Sequence, residues 1–109
     1  MATALKILGQ LKPAAATPGD LYAVPAATSA VVSSITVCNQ SATATTFRVS
    51  VSAAGAATDP KDYLYYDVPI AGNDTFVATI GVSLATTDKV RVYSGGGTVS
   101  FNAFGQQVT

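Results

Sequence analysis

The chain has no histidine, no tryptophan and no glutamate, and a single cysteine and a single methionine. Without histidine, the commonest general base and the commonest metal ligand are both missing. One cysteine, Cys38, makes neither an internal disulfide nor a thiolate cage. Charge is scarce as well: six Lys and Arg balance six Asp, 11% of 109 residues, less than half the usual share. Lys6, Lys12, Arg48, Lys61, Lys89 and Arg91 are scattered, and Asp62 and Asp88 dilute two of them. No basic stripe exists to replace counterions along phosphates, so nucleic acid is not an expected partner. The longest uncharged stretch, from Leu21 to Arg48, is broken by Pro25 and many Ser and Thr, so no membrane-crossing helix is expected. The first residues lack the long apolar core of a secretory leader. The expectation is a protein made in the cytoplasm, with no membrane partner.

What is present is small and β-prone. Ala (19), Thr (14), Val (13) and Ser (9) make up half of the chain. A neutral 109-residue chain with 49% hydrophobic residues has little long-range repulsion to keep copies apart, and buries only a modest share of its surface alone. Both arguments favour an oligomer or a subunit docked on a larger assembly.

Residues 1–20 read as an extended N-terminal arm. A short apolar stretch containing Leu5, Ile7, Leu8 and Leu11 runs into Pro13, Pro18 and Gly19-Asp20, which argue against a continuing helix. Those leucines and the isoleucine suit either a first strand or a docking segment. From residue 21 to 109 the pattern is β. Strands are expected at Leu21–Val24, Ala30–Cys38, Thr45–Ser52, Asp62–Val68, Thr75–Leu84, Lys89–Tyr93 and Thr98–Phe104, separated by Pro, Gly, Asn and Asp clusters. In Thr45–Ser52, Phe47, Val49 and Val51 alternate with Arg48, Ser50 and Ser52, the period of a strand with one wet face. About seven or eight strands with turns every 8–12 residues or so predict one all-β, antiparallel sandwich, jelly-roll-like or Ig-like. The expected core is Leu21, Val24, Val32, Ile35, Val37, Phe47, Val49, Val51, Leu64, Tyr66, Phe76, Ile80, Val82, Leu84, Val90, Val92, Val99 and Phe101.

Candidate chemistry is thin. Asp59, Asp62, Asp67, Asp74 and Asp88 fall mostly at strand ends, where Asp serves turn geometry; no D-x-D-x-D-G calcium loop is present. Serine and threonine abound, but no histidine activates them and no G-x-S-x-G elbow occurs. Gly95-Gly96-Gly97 lacks the Lys-Ser/Thr that follows in a phosphate loop and reads as a hairpin turn. Asn39-Gln40-Ser41 and Asn73-Asp74-Thr75 match the glycosylation triplet but read as turns. No catalytic, cofactor-binding or metal-binding residue is assigned, and the chain is not expected to be an enzyme. Tyr63 and Tyr65 are the most pointed local feature. Simple alternation puts them on one face, opposite Leu64 and Tyr66, where tyrosines suit a protein interface or a sugar-stacking site.

Leu21-Tyr22-Ala23-Val24-Pro25, Ser29 to Asn39, Ala42 to Val49, Tyr65-Tyr66-Asp67-Val68-Pro69-Ile70, Asn73 to Phe76, Thr87-Asp88 and Ser100 to Gly105 together resemble a family of small virion structural proteins of tailed bacteriophages. The likeness runs from Leu8 onward and rests on scaffold motifs. It implies a capsid decoration (cement) protein that sits on the phage head as a homotrimer and clamps neighbouring major capsid proteins. No catalytic or ligand residue carries over. The arm residues Leu5, Ile7, Leu8 and Leu11, with Tyr63 and Tyr65, are the expected interface. The competing expectation is a tail, neck or baseplate subunit, or a receptor module that binds glycans.

Overall fold

The computed structural model describes residues 2–109. Nine strands form: β1 Thr3–Leu11, β2 Gly19–Ala23, β3 Ser29–Asn39, β4 Thr45–Ser52, β5 Tyr63–Ile70, β6 Thr75–Ala78, β7 Val82–Leu84, β8 Lys89–Ser94 and β9 Val99–Val108. Two antiparallel sheets pack face to face. The first runs β1-β9-β3-β6, with β7 also on β3; the second runs β2-β8-β4-β5. β6 pairs with Ile35–Cys38 and β7 with Ala30–Val32, so the two occupy one edge position as halves of an interrupted strand. The order is therefore that of an eight-position jelly roll, the sandwich built from two Greek keys. Of the two topologies open at the level of sequence, this is the jelly roll.

The alternating strands supply the core. Val32, Ile35 and Val37 of β3, Phe47 and Val49 of β4, Val90 and Val92 of β8, and Val99, Phe101 and Ala103 of β9 are all buried between the sheets. Phe47 sits at the centre, its ring centroid 5.3 Å from that of Phe76 and 6.2 Å from that of Phe101. At one end of the sandwich the buried Asn39 ties three turns together. Its side-chain amide donates to the carbonyls of Thr43 (2.9 Å) and Ala71 (3.2 Å). Its Oδ1 accepts from the Ser41 N–H (3.1 Å) and the Thr98 hydroxyl (2.9 Å).

Several expectations are corrected here. Thr3–Leu11 is not a free arm: it pairs along its length with β9 and completes one side of the first sheet. Leu8, on the face opposite Leu5 and Ile7, is buried in the core, and a bulge between Ile7 and Gly9 brings Leu11 to the same side, where it packs against the core. Gly9 then lies against β2 so closely that a Cβ would stand 1.9 Å from the Leu21 carbonyl oxygen, so only glycine fits. The single strand expected over 75–84 is broken at 79–81. The last strand, expected to end at Phe104, runs on to Val108. Gly95-Gly96-Gly97 is no hairpin, because β8 and β9 belong to different sheets; it is the crossover between them. Leu64 and Tyr66, expected in the core, are 40% and 58% exposed, for a reason found in the register of β5.

Candidate interaction surfaces

The two outer faces of the sandwich are chemically opposite. Register lays out the first sheet's face in rows across the strands: Leu5, Gln106 and Val31; Ile7, Phe104 and Ser34; Gln10, Asn102, Thr36 and Val77; Ser100, Cys38 and Thr75. None of these is charged. All five strands of this sheet together carry one charged residue, Lys6. Leu5 is 82% exposed, and Ile7 and Val77 are also exposed. The polar members largely satisfy one another, as in the 2.8 Å bond from the Gln10 amide to Asn102 Oδ1. A shallow groove between Leu5, Val31 and Phe104 runs along this face.

The second sheet carries five charged residues: Asp20, Arg48, Asp67, Lys89 and Arg91. Asp20 is bound by both Lys89 (3.0 Å) and Arg91 (3.0 Å). The hydrogen bond from Lys89, opposed in part by burial and aided by Arg91, holds the Asp20 carboxyl below the usual range. The remaining Arg91 donors reach up to the β4–β5 loop: Ser52 Oγ at 3.0 Å, the Gly55 carbonyl at 3.1 Å, the Ala56 carbonyl and Thr58 Oγ1. Asp88 fixes the same loop from the other side, accepting from the N–H groups of Ala54 and Ala85 (2.8 Å each). Those two backbone bonds lower its pKa. Farther along, Asp59 and Asp62 form a reciprocal capping box on the short 3-10 turn Pro60–Asp62. The loop is thus strapped over Ser50 and Ser52, which explains why these outward-facing serines are buried.

β5 departs from simple alternation. Its register against β4 shifts twice, between Phe47 and Val49 and between Val49 and Ser50, and Asp67 adopts a left-handed φ of 49°. These bulges decide which tyrosines face outward. Tyr65 lies opposite Val49 and packs on Phe47 and Phe76 at the core's edge. Tyr63 and Tyr66 come together instead, centroids 4.9 Å apart at 80°. The Arg48 guanidinium stacks 4.3 Å from the Tyr66 centroid and 4.4 Å from that of Tyr93, within cation–π range. It also binds Asp67 through Nε at 2.6 Å and Nη2 at 3.3 Å; that hydrogen bond chiefly raises its already high pKa. A groove of about 570 Å³ opens between Thr58, Pro60, Tyr63 and Tyr66.

The expected interface set therefore divides. Leu5 and Ile7 lie together on the neutral face; Leu8 and Leu11 turn to the core. Tyr63 lies on the charged face without Tyr65. Arg48, Tyr66, Asp67 and Tyr93 belong to the tyrosine cluster and escaped the sequence reading. The outward position of Arg48 was legible from alternation, but its partners were not, because two bulges set them. Asn39, in the first of the two glycosylation triplets, is buried and fully bonded, whereas Asn73 sits exposed in a turn. Among the described residues no three His, Cys, Asp or Glu side chains come together, and no helix is long and apolar enough to cross a membrane.

Fold and surfaces together define a single jelly-roll unit with one neutral and one charged, tyrosine-bearing face. No protein-family model, no curated protein and no solved structure matches the chain.

Proposed function

We propose that the chain is a structural subunit of a tailed-phage virion, a capsid decoration protein that assembles as a homotrimer and clamps neighbouring major capsid proteins on the head surface. The sequence resemblance supports the class of particle. The observation that carries a binding role is the outer face of the first sheet, whose cross-strand rows bear no charge and expose Leu5 and Ile7 beside Val31 and Phe104, with Val77 exposed on the far edge strand. Grouped exposed apolar side chains mark protein–protein contact, and charge depletion is the compositional mark of an interface core. β1 sits at the edge of that sheet, where an extended strand adds main-chain contacts to a partner. Three copies acting together gain avidity over one.

The test is the oligomeric state by light scattering, followed by titration onto expanded phage heads. A trimer that binds heads and raises their disruption temperature is the expected result; a stable monomer with no affinity for heads overturns the reading. The same face would serve a tail, neck or baseplate subunit, and antibody-labelled microscopy of the intact particle separates head from tail.

A further inference from the structure

The tyrosine cluster lies on the opposite face and does not depend on the decoration reading. Three features single it out. The strand that bears it is bulged twice against β4, and bulges re-aim side chains beside binding sites. The deformation leaves Tyr66 58% exposed, where alternation would have turned it inward. The surroundings are also fixed in advance: Arg48 is clamped between two rings and a carboxylate, and Arg91 holds the loop that carries Thr58 and Pro60. A binding constellation held by a supporting shell of hydrogen bonds is how preorganised sites are built.

From this we infer that the groove between Thr58, Pro60, Tyr63 and Tyr66 is a binding site for a neutral saccharide ring. A pyranose has a face of C–H groups and a rim of hydroxyls. Aromatic faces carry the negative end of their quadrupole toward such C–H groups, and tyrosine adds a polar tip. Here two tyrosine rings packed at 80° form a corner of the groove, and Pro60 and Thr58 complete its lining. Arg48, stacked on Tyr66, and Asp67 pair with each other through Nε and Nη2, so a charged ligand finds no free counter-charge, while the hydroxyls of Thr58, Tyr63 and Tyr66 offer a neutral polyol donors and acceptors. A proline-rich peptide needs a groove lined by successive aromatic walls; a single corner offers one seat.

The experiment uses the full chain, isotope-labelled, with the methyl glycosides of glucose, galactose, mannose and N-acetylglucosamine as probes in saturation-transfer and chemical-shift NMR. At least one glycoside is expected to receive saturation and to shift Tyr63, Tyr66 and Asp67. Tyr66→Ala should weaken it by about tenfold or more, Tyr66→Phe should retain most of the binding, and Lys12→Ala, at an exposed position after β1, should change nothing. Tyr63→Ala, which removes the other aromatic wall of the groove, should give the same loss and serves if Tyr66→Ala does not fold. The proposal is overturned if no glycoside shifts these residues, if binding survives both Tyr66→Ala and Tyr63→Ala, or if a proline-rich peptide shifts them where no glycoside does.

Discussion

Asn39 offers the sharpest check on the fold. Its side chain is 1% exposed and makes four hydrogen bonds, two donated to Thr43 and Ala71 and two accepted from Ser41 and Thr98. Each such bond contributes about 0.5–1.5 kcal/mol net, and a buried partner left unpaired costs about 1–3 kcal/mol. Asn39→Ala removes all four at once. Because the partners lie in turns, where water can reach some of them, a loss of about 3–4 kcal/mol is expected. Against a typical domain stability of about 5–15 kcal/mol, that is a large fraction. Urea unfolding followed by circular dichroism reads it as a drop in midpoint with an unchanged slope. Asn39→Asp sharpens the test. It keeps the two acceptances but sets a carboxylate against two carbonyl oxygens, which raises its pKa in the fold. A group with a raised folded pKa gains stability as pH falls through that value. The Asp variant should therefore recover relative to the wild type between about pH 7 and pH 4, as the carboxyl takes up a proton and becomes a donor. An Ala variant within about 0.5 kcal/mol of wild type would refute the knot of turns.

The other expectations are these. Gly9→Ala drives a Cβ to 1.9 Å from the Leu21 carbonyl oxygen, so it should destabilise by about 1–3 kcal/mol or more, read by the same urea titration. Ser94→Ala should be neutral or stabilising by about 1 kcal/mol, because the buried Ser94 hydroxyl has no hydrogen-bond partner; a loss of stability would point to a missed partner. Asp88→Asn should speed amide exchange at Ala54 and Ala85, whose N–H groups its carboxylate accepts. Asp20 and Asp88 both have lowered folded pKa values, so their stabilising effect is fully present above the ordinary carboxylate value near pH 4 and is lost below it, as pH falls through the folded values; the protection of the Ala54 amide relative to its free exchange rate should fall in that lower window and not above it. Leu5→Asp with Ile7→Asp, both on exposed positions, should abolish self-association in light scattering while leaving the melting temperature nearly unchanged.

Most of the fold was legible because alternation is a local signal. β4 falls on the expected residues, and the core positions of β8 and β9 follow from period two alone, while β3 keeps that period on either side of a bulge between Val32 and Ser34. Pairing was not legible. β4 and β5 are the only consecutive strands that pair among the described residues; all others find partners far along the chain, which no turn signal reports. That is why Thr3–Leu11 read as an arm: its partner, β9, lies at the other end of the sequence. The bulges explain the rest. A slip of one residue reverses every side chain that follows, and two slips in β5 exchanged Tyr65 for Tyr66 at the outer face. Leu11 shows the same effect in β1, where one extra residue turns it from the face of Leu5 and Ile7 toward the buried Phe101.

The separation of chemistry between the faces constrains any assembly. A subunit that docks through the first sheet leaves Arg48, Tyr66 and the loop strapped by Arg91 facing the medium. A subunit docked through the second sheet would have to desolvate the Asp20–Lys89–Arg91 and Arg48–Asp67 ion pairs, whose carboxylates are 47% and 44% exposed. The cost of taking ion pairs out of water is seldom offset by their mutual attraction in a drier interface, whereas the rows of Leu5, Ile7, Phe104 and Val77 lose little on leaving water and add apolar burial. The neutral face is therefore the favoured contact, and the charged face the one displayed. Cross-linking within an assembled particle should accordingly fall near Lys6, at the edge of the neutral sheet, and spare Lys89; cross-links concentrated at Lys89 would reverse the orientation argued here.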